Sequence, residues 1–251
     1  TGSLAGSAAA YRAAFAQSGA LEATSISDFL GWSRALACQP AAHGKRLAIV
    51  TNAGGPGVLA ADAAFRHGIE LAQLSDETMA ALDKVLPSVW SRNNPIDVIG
   101  DAGPKRYQEA LDIIGAAPEV DGVVVIMTVQ AMTDPAATAA AIAAAAANPA
   151  WEAPVCCSFI GLQGTPVGAF LDARGVPEFN VPEAAVSAMG ALMRRGAWLD
   201  RVAPTAPDTS AMPAPDLARC AELVREAQLA GQTNLDLGRA RDVLSAAGLR
   251  Y

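Results

Sequence analysis

Thr51-Asn52-Ala53-Gly54-Gly55-Pro56-Gly57-Val58 lies between a β-branched run and a helical stretch. Glycines at 54, 55 and 57 let a backbone approach a ligand closely. N–H groups at the head of the following helix, with its dipole, make an anion site suited to a phosphoryl group. The dinucleotide fingerprint is excluded, because the G-x-G-x-x-G spacing fails and the next strand, ending Leu71-Ala72-Gln73-Leu74, supplies no acid for a ribose. A P-loop is excluded too, since no Gly-Lys-Ser/Thr follows. A tight strand-to-helix turn with no ligand is the alternative these residues leave open.

Asn93-Asn94-Pro95-Ile96-Asp97-Val98-Ile99-Gly100-Asp101-Ala102 places amides and carboxylates around a further strand and its exit. Asp101 is expected to cap the helix beginning near Pro104. Asp97, within the strand, is harder to explain by capping: it either positions the neighbouring loops or a phosphate-bound metal, or serves as a structural carboxylate. Gln130 and Gln163 stand in loops that follow two later strands and would line the same edge; bonds within those loops explain them equally well. His43, in a connector, and His67, at a helix end, read as surface or capping residues. No Ser-His-Asp set, Cys-His pair or metal-ligand cluster is visible, so the chain carries no evident nucleophile or general base of its own.

These residues need elements to hold them. Of 251 residues, 52% are hydrophobic and 17% charged, the composition of a globular protein. The net charge of −7 and the lack of a basic cluster argue against a nucleic-acid surface. No apolar run reaches membrane-spanning length. The cysteines Cys38, Cys156, Cys157 and Cys220 lack C-x-x-C spacing, and read as reduced, mostly buried thiols of a cytoplasmic protein.

From residue 44 to 199 short β-branched runs alternate with longer Ala/Leu stretches, which predicts an α/β fold of flavodoxin or Rossmann type, a doubly wound parallel sheet. Strands are expected at 47–51, 69–74, 96–99, 123–128, 155–160 and 178–181, and helices at 57–66, 76–86, 104–116, 135–147, 165–174 and 182–198. Val123-Val124-Val125-Ile126-Met127 is apolar without alternation, as in a strand covered on both faces. Residues 1–40 read as helices around a short extended piece, the tail of a preceding similar domain. Residues 200–232 read as a Pro-rich linker and a helix, and 233–251 as the start of something further.

The order of these pieces, from Thr1-Gly2-Ser3-Leu4-Ala5-Gly6-Ser7 through Ala14-Phe15-Ala16-Gln17-Ser18-Gly19 and the long Asn-Ala-Gly-Gly-Pro-Gly stretch to Asn94-Pro95-Ile96-Asp97-Val98, resembles the NDP-forming acyl-CoA synthetases, relatives of succinyl-CoA synthetase. That resemblance implies a protein that joins a carboxylic acid to CoA while exchanging ATP for ADP, with Mg²⁺ on the nucleotide, through a phosphohistidine. The family's histidine would directly precede Thr1. Its phosphoryl group would be held by Thr1, Gly2 and Ser3 and by Asn52, Gly54, Gly55 and Gly57, with Asn94, Asp97, Gln130 and Gln163 in support.

The resemblance also implies that 1–40 end a first ligase-type domain, that 44–199 form a second, and that 233–251 open an ATP-grasp domain. CoA, ATP and Mg²⁺ would serve the longer protein, with none held tightly by these residues. Homo-oligomerisation or association with an ATP-grasp domain or subunit is implied as well. Two other readings stand beside it: the synthetase-like region of a protein lysine acetyltransferase, and a phosphate- or flavin-binding module without catalysis.

Overall fold

The computed structural model describes residues 7–162, 166–201 and 214–249. Thr1, Gly2, Ser3 and Gln163, and most of the Pro-rich stretch after Arg201, lie outside the described residues. The chain divides into two compact units, Thr1–Arg201 and Val202–Tyr251.

The first unit opens with α1 (Ala8–Ser18) and α2 (Ile26–Cys38). Then follow β1 (Arg46–Thr51), α3 (Gly54–Arg66), β2 (Glu70–Leu71), α4 (Asp76–Val85), β3 (Ile96–Asp97), α5 (Pro104–Gly115) and β4 (Gly122–Thr128). The unit closes with α6 (Pro135–Ala146), β5 (Val155–Ile160), α7 (Pro166–Asp172), β6 (Glu178–Phe179) and α8 (Pro182–Leu199). In the second unit, α9 (Leu217–Leu229) and α10 (Leu237–Ala246) form a helical pair, each begun by an aspartate, Asp216 and Asp236, whose side chain accepts a backbone N–H.

Every strand pairing is parallel, in the order β2-β1-β4-β5-β6, with β3 also on β1. This is the doubly wound α/β arrangement that the alternation predicts. The apolar run of β4 is covered on both faces. Val123, Val125 and Met127 join the core under α5 and α6, while Val124 and Ile126 join the one under α3 and α8. α2 is fastened to α8 by Trp32, whose indole N–H donates to Ser187 Oγ at 2.9 Å. Ser187 in turn donates to Asp28 at 2.8 Å. Where Ala42 crosses α8 its carbonyl oxygen would lie 1.7 Å from a Cβ at residue 196, so only glycine permits that crossing.

Three expected strands are shorter than their sequence pattern. β2, β3 and β6 contribute two paired residues each instead of the spans 69–74, 96–99 and 178–181. β2 and β3 share one edge of β1: β2 takes Arg46 and Leu47, β3 takes Val50 and Thr51, and the Asn94 side chain bonds to Ile49 N and Leu47 O between them. α3 begins at Gly54, three residues before the expected Gly57, because Pro56 sits in the first turn, where its missing N–H breaks no helical bond. Asp101 does not cap α5. Gly103 occupies that position, and Asp101 pairs instead with Arg106.

Candidate anion site at the strand switch point

The chain leaves β1 toward β2 on one side, while β4 lies on the other, so the carboxyl ends of β1 and β4 flank the switch point where ligands bind in open α/β sheets. Asn52 closes the floor of that crevice. Its Nδ2 donates to Thr128 O at 2.9 Å and its Oδ1 accepts from Thr128 N at 2.8 Å. Below it, the buried Tyr107 hydroxyl donates to Ile126 O at 2.8 Å. Burial pushes the Tyr107 pKa well up, against a hydrogen bond from the Asn52 backbone. The Thr128 hydroxyl is buried in the same floor with no partner among the described residues.

Thr51 shapes the entry into α3. Its Oγ1 accepts from Ala53 N at 3.1 Å and donates to Ala53 O at 2.9 Å, a local turn that fixes the direction of the helix. The first helical bond runs from Gly57 N to Ala53 O. Since Pro56 has no N–H, the donors left open at the head of α3 are those of Gly54 and Gly55, both exposed and without an acceptor among the described residues. No acid stands in this first turn to compete for them.

The three glycines differ in what constrains them. A Cβ at Gly57 would meet Thr51 Cγ2 at 3.0 Å and Pro95 Cβ at 3.3 Å, so glycine there serves packing. A Cβ at Gly55 would meet nothing within 4 Å, and one at Gly54 only Asp97 Oδ2 at 3.8 Å. Nothing within the described residues requires glycine at 54 or 55.

Asp97 borders this turn from β3. Its Oδ1 accepts the Ile99 N–H at 2.8 Å and so holds Ile99, a β-branched residue, at φ 72°. Its Oδ2 faces the Gly54 turn. Gln130 reaches over Gly100, where a Cβ would come within 2.8 Å of its Oε1. Asn94 lies elsewhere, buried between β1 and β2 with its amide bonded to backbone. The structure therefore gathers Asn52, Gly54, Gly55, Asp97 and Gln130 around one crevice and gives Asn94 and Gly57 supporting positions. Thr128 was not singled out from sequence, although it is the first polar residue after the apolar run and stands at the strand's carboxyl end.

Neither histidine is at the crevice. His43 pairs with Asp200 at 3.2 Å, and His67 caps the far end of α3. Cys156 and Cys157 are buried, and burial raises both thiol pKa values. Among the described residues no group of three or more His, Cys, Asp or Glu side chains converges as a metal site would require. The arrangement offers backbone donors to an anion, flanked by a carboxylate.

The Ligase-CoA domain model matches residues 47–199, more than half of the chain. The chain belongs to the Ligase-CoA domain family. Among its relatives, the acetate–CoA ligase [ADP-forming] I of Archaeoglobus fulgidus is 39% identical over 194 residues, 77% of this chain and 27% of the relative. The alpha subunit of acetate–CoA ligase [ADP-forming] II from Pyrococcus furiosus is 37% identical over 199 residues, 78% of this chain and 43% of that subunit. A solved dinucleotide-forming acetyl-coenzyme A synthetase 1 of Ca. Korarchaeum cryptofilum, in complex with phosphate and ADP, superposes with a TM-score of 0.73 at 33% identity, over 78% of this chain and 43% of that one. This Ligase-CoA chain thus spans less than half the length of each of these relatives.

Proposed function

We propose that this Ligase-CoA domain is the phosphoryl-cradling part of a longer NDP-forming acyl-CoA synthetase, which makes acyl-CoA from a carboxylic acid and CoA at the expense of ATP through a phosphohistidine. The observation that carries the reading is the pair of open N–H donors on Gly54 and Gly55, at the switch point and at positions where nothing among the described residues requires glycine. The activity in the relatives' names, ADP-forming ligation of acetate to CoA, supports it. The donors would bind the phosphoryl oxygens and stabilise their charge as it redistributes during transfer. Thr51 and Asn52 would keep those donors aimed by fixing the turn and the crevice floor.

Asp97 refines the reading. A carboxylate beside an anion site disfavours a free dianion and favours one that arrives on a carrier with an N–H or positive charge. A phosphorylated imidazole is such a carrier. With His43 and His67 both away from the crevice, that histidine would come from a part of the longer protein outside these residues. Gly2 and Ser3 would meet the phosphoryl group from the opposite side, Gln163 would join Gln130 at the rim, residues 1–40 would complete a first ligase-type domain, and 233–251 would open the ATP-grasp domain that holds nucleotide and Mg²⁺. CoA would bind through other domains.

The test is direct. The longer protein, incubated with γ-labelled ATP, is expected to acquire acid-labile phosphate on histidine and to form acyl-CoA when a short carboxylic acid and CoA are added. Absence of both products across a panel of acids overturns the proposal.

A further inference from the structure

The amino-terminal side of β1 and β2 borders a second cavity, of about 480 Å³, bounded by α1, α8 and the turn at His67–Ile69. Lys45, His67, Arg194 and Arg201 line it together with Phe15 and Trp198, and among the described residues no carboxylate does. In a chain with 25 acidic and 18 basic side chains, such a gathering of nitrogen groups without an acid departs from its overall balance. The size suits a small organic ligand.

Arg194 is the informative member. Its guanidinium carbon lies 4.7 Å from the Trp32 ring centre, and its Nη2 is buried with no acceptor among the described residues. Burial lowers its pKa, and the charge of Asp28 acts the other way. A buried donor without an acceptor carries an uncompensated desolvation penalty, which a nearby anion offsets. Gly190 makes room for the group: a Cβ there would stand 3.2 Å from Arg194 Nη1 and 3.3 Å from Ile69 Cδ1. The carboxyl end of α3, which would otherwise repel an anion, is closed by His67 N, Gly68 N and Ile69 N bonding to its last carbonyls. Arg201 is partly engaged, donating to Ala16 O at 3.2 Å, which leaves Lys45 and Arg194 as the available cations with the His67 imidazole beside them.

We propose that this cavity binds an organic monocarboxylate with an apolar body, the carboxylate on Lys45, His67 and Arg194 and the body against Phe15 and Trp198. It lies at the opposite end of α3 from Gly54 and Gly55, so it is a site apart from the crevice and does not rest on the phosphoryl reading. An apolar body is required because a small hydrated anion would leave the half-buried rings of Phe15 and Trp198 uncovered. The anion would also raise the pKa of His67, which burial lowers first, with Arg194 and Arg66 acting in the same direction and Asp28 against them.

Calorimetric titration of the 251-residue chain at low ionic strength tests this with benzoate, acetate and inorganic phosphate as probes. Saturable benzoate binding is expected, at least tenfold tighter than either small anion, together with an upward shift of the His67 titration followed by NMR. Lys45→Met and Arg194→Met should each weaken benzoate at least fivefold. Lys45 is exposed, so its variant decides the matter even where Arg194→Met fails to fold. No saturable benzoate binding, equal binding of acetate or phosphate, or unchanged affinity in folded Lys45→Met overturns the proposal.

Discussion

The side-chain oxygen of Asn94 accepts the backbone N–H of Ile49 at 3.0 Å, supplying a rung that no strand provides. The same amide donates to Leu47 O at 2.7 Å and to Ala72 O at 3.0 Å, where β1 passes from one short neighbour to the other. Asn94→Ala leaves Ile49 N–H buried and unpaired, which costs about 1–3 kcal/mol. Asn94→Asp costs more at neutral pH, because a buried carboxylate would face two carbonyl oxygens. Urea unfolding at pH 7 should rank wild type above Ala and Ala above Asp. The Asp deficit should shrink toward pH 4, since the buried acid's raised pKa makes its penalty grow as pH rises.

Gly55→Ala and Gly57→Ala should part company. At 57 the new methyl presses on Thr51 and Pro95, and a loss of about 1 kcal/mol is expected. At 55 it meets nothing, and replacing glycine in a helix should leave stability unchanged or raise it by up to about 1 kcal/mol. Thermal melts measure both. If the phosphoryl reading is right, the stable Gly55→Ala is the one that loses phosphate binding, seen by ³¹P NMR; unchanged binding would count against the site.

Asp97→Asn keeps an oxygen for the Ile99 N–H while removing the charge beside Gly54. Relief of one repulsion near a surface is worth about 1 kcal/mol, so inorganic phosphate should bind roughly fivefold more tightly to the variant at low salt. The gain should fade as salt is added. Equal affinities in titration calorimetry would show that Asp97 does not face the bound anion.

Asp121 should mark the acid limb of stability. Burial works to raise its carboxyl pKa, but hydrogen bonds from the Arg46 side chain and backbone N–H prevail and hold it low. A carboxyl whose pKa is lower folded than unfolded contributes stability above the ordinary range near pH 4, lost as pH falls through its folded value. With Arg46 45% exposed, solvent screening limits the contribution to about 1 kcal/mol. Melting temperature recorded from pH 6 to pH 2 should therefore fall less steeply for Asp121→Asn than for wild type.

Much of the framework could be read in the residues because local signals agreed with packing. Ser75 caps α4 through Thr78 N at 3.2 Å, as its position before Asp76-Glu77 predicts, and the apolar run of β4 is buried between two helical layers. The strand lengths could not be read in the same way. How far Ile69–Leu74 or Ile96–Ile99 extends depends on the competition of β2 and β3 for one edge of β1, a tertiary matter. The start of α3 was obscured by glycine's low helix propensity, which matters less in a first turn with unpaired donors. Among the candidate site residues, the glycine turn stands out by type and spacing. The roles of Asn52 and Asn94, by contrast, depend on carbonyls and N–H groups brought from distant strands.

The two-residue strands at the margins also bear on association between copies. With β2, β3 and β6 as its outer members, the sheet offers almost no exposed ladder onto which a second chain could add a strand. Blunt margins of this kind protect against edge-to-edge aggregation. They also direct any specific contact to helical surfaces, and α3 exposes Val58, Leu59 and Phe65 there.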